Sequence, residues 1–165
     1  MSAMRTIIVA YNTKFVIGNG LGLPWRISED LKLFRRLTMG HPCIMGRTTW
    51  DVMPPKYKPL PGRTNIVVSR KPLDLEGAET FASVESALKY AMQCDEQEVF
   101  ITGGAQIYWY ALGHNLVDRV LASEIKNDIT VENAVYFPQL KALGWKGQVV
   151  EEFDEFTLMD YRKLE

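Results

Sequence analysis

The segment Gly22–Thr38, GLPWRISEDLKLFRRLT, sets an acid where a helix should be apolar. Stepping about 100° per residue from Ile27 puts Leu33, Leu37, Phe34, Thr38 and Leu31 on one side of a helix, and Asp30 falls between Leu37 and Phe34 inside that stripe. Glu29, Lys32, Arg35 and Arg36 all land opposite. An ordinary explanation is Ser28 as N-cap, with Asp30 complementing the helix dipole. Glu29 can serve the dipole from the solvent side, so that need does not call for an acid facing the core. A carboxylate aimed at apolar neighbours must find a partner or shift its pKa, which makes Asp30 a functional candidate of the kind acid–base chemistry uses.

A second set of residues suits anions. IMGRTTW puts Gly46, Arg47, Thr48 and Thr49 at the start of a helix, where free backbone N–H groups, hydroxyls and a guanidinium can meet a phosphate. TGGAQIY, Thr102 to Tyr108, offers the same arrangement with glycines that let backbone approach a ligand, and VVSRKP adds Ser69, Arg70 and Lys71. Each is weak alone. All three lie at carboxyl ends of expected strands, where open α/β sheets bind ligands, and a dinucleotide with an extra phosphate is the natural guest. IIVAYNTKFVIGNGLG is not a dinucleotide fingerprint: Gly18, Gly20 and Gly22 give G-x-G-x-G, Leu23 takes the third-glycine slot, and Pro24 and Trp25 hold the helix away. It reads as a mobile loop beside a site, anchored by Trp25 and Leu23.

The elements that position these residues follow from apolar runs and periods. Thr6–Tyr11, HPCIMG, Thr64–Ser69 and Glu98–Thr102 read as buried strands. Helices are expected over Thr48–Met53, from Ser83 with Val84, Ala87, Leu88, Ala91 and Met92 as its apolar face, and from Gly104 to near Gly113. PPKYKPLPG is a surface loop. Alternation of strand and helix implies parallel strands with crossovers, whereas RVLASEI, KGQVVEEF and EFTLMDYRKL follow without helices and read as antiparallel additions at one edge. The expected class is α/β, a central mostly parallel sheet with flanking helices and antiparallel C-terminal edge strands, in a single domain over 1–165.

At 165 residues, 47% hydrophobic and 24% charged, the chain can bury a real core. A net charge of -1 provides no global field for nucleic acid or an anionic membrane, so neither is an expected partner. Cys43 and Cys94 stand alone, with only His41 and His114 to assist, so no metal site and no disulfide framework is expected. Thr6–Tyr11 is too short for a signal-peptide core, and a cytoplasmic location follows.

With Asp30, Trp25, IMGRTTW, LPGR, SRK and TGGAQIY placed in order, the chain resembles the dihydrofolate reductases nearly end to end from Thr6. The resemblance implies that NADPH delivers hydride to C6 of the pterin of dihydrofolate while N5 gains a proton. It also implies a monomer that binds dihydrofolate and antifolate inhibitors. Asp30 would hydrogen-bond the pterin's amino group and adjacent ring nitrogen, supported by the Ser123 hydroxyl. By the same resemblance Ile8, Val9, Ala10, Leu31, Thr102 and Tyr108 line the pterin end, and Phe34 and Leu60 the benzoyl portion. Arg63 would hold the glutamate α-carboxylate. Leu23 and Trp25 match the lid loop. Ala10, Ile17 and Gly18 would meet the cofactor, Arg47, Ser69, Arg70 and Lys71 its 2'-phosphate, and Gly46, Thr48, Thr49, Gly103, Gly104, Ala105, Gln106 and Ile107 its pyrophosphate region.

The chain departs from the family's usual pattern in four places. Thr102 replaces a branched aliphatic residue, and Gln106 an arginine. VENAVYFP is long and lacks an acid three residues before Phe137, and the PPKYKP loop is extended. Two other functions compete: a different pterin or pyrimidine reductase on the same fold, and a nucleotide-binding module without chemistry. Asp30 together with Arg63 favours a pterin head and a glutamate tail.

Overall fold

The computed structural model describes residues 3–18 and 25–164. The strands are β1 (Met4–Asn12), β2 (Val16–Gly18), β3 (Cys43–Gly46), β4 (Asn65–Val68), β5 (Ala78–Phe81), β6 (Glu98–Gly103), β7 (Arg119–Ile125), β8 (Val135–Tyr136), β9 (Trp145–Glu152) and β10 (Phe156–Lys163). The helices are α1 (Ser28–Thr38), α2 (Arg47–Val52), α3 (Val84–Cys94) and α4 (Ala105–Gly113). Eight strands form one sheet in the order β5-β4-β3-β6-β1-β7-β10-β9, and β2 and β8 form a separate two-stranded ribbon. The chain passes from β1 over to β3, steps outward to β5, and returns with β6 between β3 and β1. That reversal sets the carboxyl ends of β3, β6 and β1 side by side.

The α/β class with a mostly parallel sheet holds, with one correction at its edge. RVLASEI, β7, pairs parallel with β1, residue for residue from Thr6↔Arg119 to Asn12↔Ile125. Within the eight-stranded sheet β10 is the one reversed strand, antiparallel to both β7 and β9. The α4 crossover returns the chain to the same end of the sheet before β7 begins, which fixes its direction. The sequence reading also lacked β5 and the ribbon.

Alternation along β1 splits the core in two. Ile7, Val9 and Tyr11 face α3 and α4, packed with Leu88, Ala111 and Phe137, whereas Ile8 faces the α1 side with Leu33, Trp50 and Leu121. The helix from Ser83 forms as expected, with the Ser83 hydroxyl accepting from the Ser86 amide at 3.1 Å. Helix α1 differs at its start. Ile27 is the N-cap residue, no side chain caps the end, and Ser28 is already helical.

Candidate active site

One long cleft of about 1470 Å³ runs along the carboxyl ends of the parallel strands. Its walls can be followed in sheet order. Ser69, Arg70 and Lys71 after β4, with Ala82 and Ser83 after β5, stand at one end. Gly46–Thr49 after β3 and Thr102–Ile107 around the end of β6 come next, then Ile8, Val9 and Ala10 of β1, and Ser123 of β7 with Leu158 of β10 at the other end. From β4 to β7 there are four inter-strand steps, so the cleft crosses roughly 19 Å of sheet. Helix α1 closes the β7 end with Asp30, Leu31, Phe34 and Leu37.

Asp30 sits in the first turn of α1, half-buried among these apolar side chains. Loss of hydration raises its carboxyl above the ordinary aspartate value, and the Ser123 hydroxyl, itself buried, acts in the opposite direction. Tyr108, buried beneath, donates its hydroxyl to the Ile8 carbonyl at 2.8 Å. Burial pushes that phenol upward, and the charge of Asp30 pushes it further. The hydroxyl of Thr102 donates to the Ile44 carbonyl at 3.3 Å, so it braces β6 against β3.

At the middle of the cleft glycines let the end of β6 pack closely on α2 and α4. A Cβ on Gly104 would stand 3.2 Å from Thr49 Oγ1, and one on Gly103, whose φ is +131°, would stand 3.3 Å from the Tyr108 hydroxyl. The Gly103–Gly104 bond is cis. Of the three cations, Arg47 is already engaged: its Nε meets both oxygens of Asp51 at 3.2 and 3.1 Å. Arg70 and Lys71 are exposed.

Most of the residues singled out from the sequence are thus brought to one surface, but several are not. Gly18, Trp25, Leu60 and Arg63 do not line the cleft among the described residues. Leu23 lies outside the described residues. Trp25 and Leu60 pack against the α1-side core, and the buried Trp25 indole nitrogen has no hydrogen-bond partner among the described residues. Arg63 turns to the end of α1, where its Nη1 donates to Thr38 Oγ1 at 3.1 Å and its Nε to the Pro61 carbonyl at 2.9 Å. Its guanidinium lies 6.0 Å from the Phe34 ring centroid, at the rim of the cleft. Loss of hydration lowers its pKa.

Sequence reasoning missed Ala82, Ser83, Trp109, Tyr110 and Val135 as cleft residues. Ala82 and Ser83 follow the overlooked β5, and Val135 belongs to the overlooked ribbon. The N-cap serine after an extended segment was the available signal for the first pair; the two-residue β8 carries none. Among the described residues no group of three or more His, Cys, Asp or Glu side chains could share a metal ion, and no helix is long and apolar enough to cross a membrane.

In sheet order and cleft position this is an α/β protein with a ligand cleft across the carboxyl ends of its parallel strands. The dihydrofolate reductase family model matches residues 4–163, and the chain belongs to that family. It is similar to the dihydrofolate reductase of Mycobacterium tuberculosis, 46% identical over 149 residues covering 90% of this chain and 88% of that protein. That of Neisseria meningitidis is 43% identical over 142 residues, 86% of this chain and 83% of its own length. That of Mycobacterium leprae is 50% identical over 108 residues, which span 64% of each chain.

Proposed function

We propose that this protein, a single domain over residues 1–165, reduces 7,8-dihydrofolate to 5,6,7,8-tetrahydrofolate with NADPH. The observation that carries the reading is the pairing of opposites in one cleft: a desolvated carboxyl among apolar side chains at the β7 end, and hydroxyls and cations toward the β4 end. Gly46, Gly103 and Gly104 line the cleft at the strand ends, and the hydroxyls of Thr48, Thr49 and Ser69 with Arg70 and Lys71 suit phosphate oxygens. NADPH, when bound, supplies the hydride that reaches C6 of the pterin.

The protein's own residues supply the rest. Asp30 accepts hydrogen bonds from the pterin's amino group and adjacent ring nitrogen, and so helps raise the basicity of N5 on the far side of the ring. Ser123 orients it. Ile8, Ala10, Leu31 and Phe34 give the planar ring apolar walls and exclude water. The buried Trp25 indole N–H, which has no partner among the described residues, is the type of group that an ordered water satisfies. Arg63, held by Thr38 and Pro61, presents its remaining N–H groups for the glutamate α-carboxylate. The protein acts as a cytoplasmic monomer, uses no metal and no nucleic-acid or membrane partner, and is a target of antifolates. The test is the loss of NADPH absorbance on adding dihydrofolate, set against other reducible heterocycles. No loss, or equal loss with an unrelated heterocycle, overturns the reading.

A further inference from the structure

Helix α2 carries its two charges at the ends where they help it least. Arg47 is its first residue and Asp51 its next to last, whereas a helix dipole favours an acid at the start and a cation at the finish. The two form an i,i+4 ion pair with the cation on the N-terminal side, the weaker of the two orientations. Both side chains are about half exposed, 47% and 51%, so the pair adds little to stability. The needs of the helix do not explain Asp51.

Its surroundings do. β3 pairs parallel with β4, Gly46 opposite Val68, so Arg47 and Ser69 leave neighbouring strands side by side, with the strands about 5 Å apart. The Ser69 hydroxyl accepts from the Lys71 amide at 3.3 Å and closes a short turn that carries Arg70 and Lys71. Arg47, Ser69, Arg70 and Lys71 all line the same cleft. Three cations therefore stand where two adjacent strands end, and among the described residues Asp51 is the acid that pairs with any of them. Both of its carboxylate oxygens accept from Arg47 Nε, at 3.2 and 3.1 Å. Lys58 meets Asp51 through the backbone carbonyl, at 3.4 Å, and leaves the carboxylate to Arg47.

We propose that Asp51 is a positioning residue that serves as an internal counter-ion for this end of the cleft: it holds Arg47 one turn along α2 and so restrains the preference for a nucleotide carrying a 2'-phosphate. The inference rests on the reading of the cleft as the NADPH site. A phosphate that approaches Arg47 must displace Asp51 or share the guanidinium with it, and in both cases the carboxylate charge opposes the phosphate charge. Arg70 and Lys71 impose no such competition. Asp51→Asn keeps the size of the side chain and removes the charge, which frees Arg47 for the ligand. The gain should be that of one exposed ion pair, a roughly 2- to 5-fold larger preference for NADPH over NADH.

The experiment is an equilibrium fluorescence titration with NADPH and with NADH, which differ by the 2'-phosphate alone, read as the ratio of their Kd values. It compares wild type, Asp51→Asn, Asp51→Glu, Arg47→Ala and the double variant Arg47→Ala with Asp51→Asn. Asp51→Asn should tighten NADPH and leave NADH nearly unchanged, and Asp51→Glu, which restores the charge, should return the ratio to that of wild type. Arg47→Ala should lower the ratio more in the Asp51→Asn background than in wild type, because Arg47 is then free to meet the phosphate. An unchanged ratio in Asp51→Asn, or equal tightening of both nucleotides, overturns the proposal. So does a cost of Arg47→Ala that is the same in both backgrounds, since Asp51 would then not act through Arg47. A wild type that binds NADPH no better than NADH overturns the reading of this end of the cleft, and the counter-ion with it.

Discussion

The Tyr108 hydroxyl lies 2.8 Å from the Ile8 carbonyl, so a buried phenol on α4 is fastened to the strand that floors the acid end of the cleft. Tyr108→Phe keeps the ring and removes the donor, leaving a buried carbonyl without that partner. Urea unfolding should show a loss of about 1 kcal/mol. An unchanged midpoint would mean that the Ile8 carbonyl finds an equal partner elsewhere.

Asp30 sets stability against activity. Its folded pKa is raised by loss of hydration, so the folded state binds more protons than the unfolded one between the two pKa values. The stabilising contribution is therefore full below the unfolded pKa and lost as pH rises through the folded one. At neutral pH the wild type carries the penalty of a desolvated carboxylate; Asp30→Asn does not. The variant should melt higher than wild type at neutral pH, with the gap closing in acid. Dihydrofolate turnover should fall roughly 100-fold or more and recover partly at low pH, where substrate arrives protonated. A lower melting temperature with normal turnover would restore the helix-dipole explanation.

Cofactor choice should depend unequally on the three cations. Arg47 is held by Asp51, whereas Arg70 and Lys71 have no acid partner among the described residues. Arg70→Ala should cost about 1.5–3 kcal/mol of preference for NADPH over NADH, read as the ratio of kcat/KM values. Arg47→Ala should cost less. Equal effects, or none from Arg70→Ala, would take Arg70 out of the 2'-phosphate site.

Arg63 is oriented by Thr38 and Pro61 at the rim of the cleft and not within it. Arg63→Ala should weaken dihydrofolate and glutamate-bearing antifolates while leaving small diaminopyrimidines, which lack the tail, nearly untouched. Inhibition constants for the two classes separate the outcomes: parallel losses would assign Arg63 to the fold.

Asp95 offers a test remote from the cleft. Burial works to raise its pKa, but the amides of Gln97 and Glu98 and the His41 ring, 2.6 Å away, outweigh it and hold the carboxyl below its usual range. A depressed folded pKa gives stability that is present above the unfolded pKa and lost as pH falls through the folded one. Asp95→Asn should destabilise by about 1 kcal/mol at neutral pH, with the difference from wild type vanishing in strong acid. A constant difference across pH would show that the charge is immaterial.

The sequence alone determined whatever rests on local period and composition. The apolar stripe of α1 with Asp30 inside it could be read from spacing, because a helix repeats its faces within a few residues. The cores of β1, β3, β4, β6 and β7 could be read as continuous apolar runs, because strands buried on both faces carry no alternation to confuse them. β5 could not: it is an edge strand of half-exposed residues, and its place is set by pairing with β4.

Tertiary structure decided everything that depends on a distant partner. The parallel direction of β7 comes from the crossover that returns it beside β1, not from its own residues. Arg63 reaches Thr38 across 25 positions, and Trp109 reaches Tyr136 across 27, because a turn of chain brings their elements to one rim. Glu124 accepts hydrogen bonds from both Tyr11 and Tyr161, 113 and 37 residues away, because β1 and β10 flank β7. Side-chain type limits what a residue can bond, but the partner is chosen by which backbone the fold lays alongside it, and that choice has no local period to reveal it.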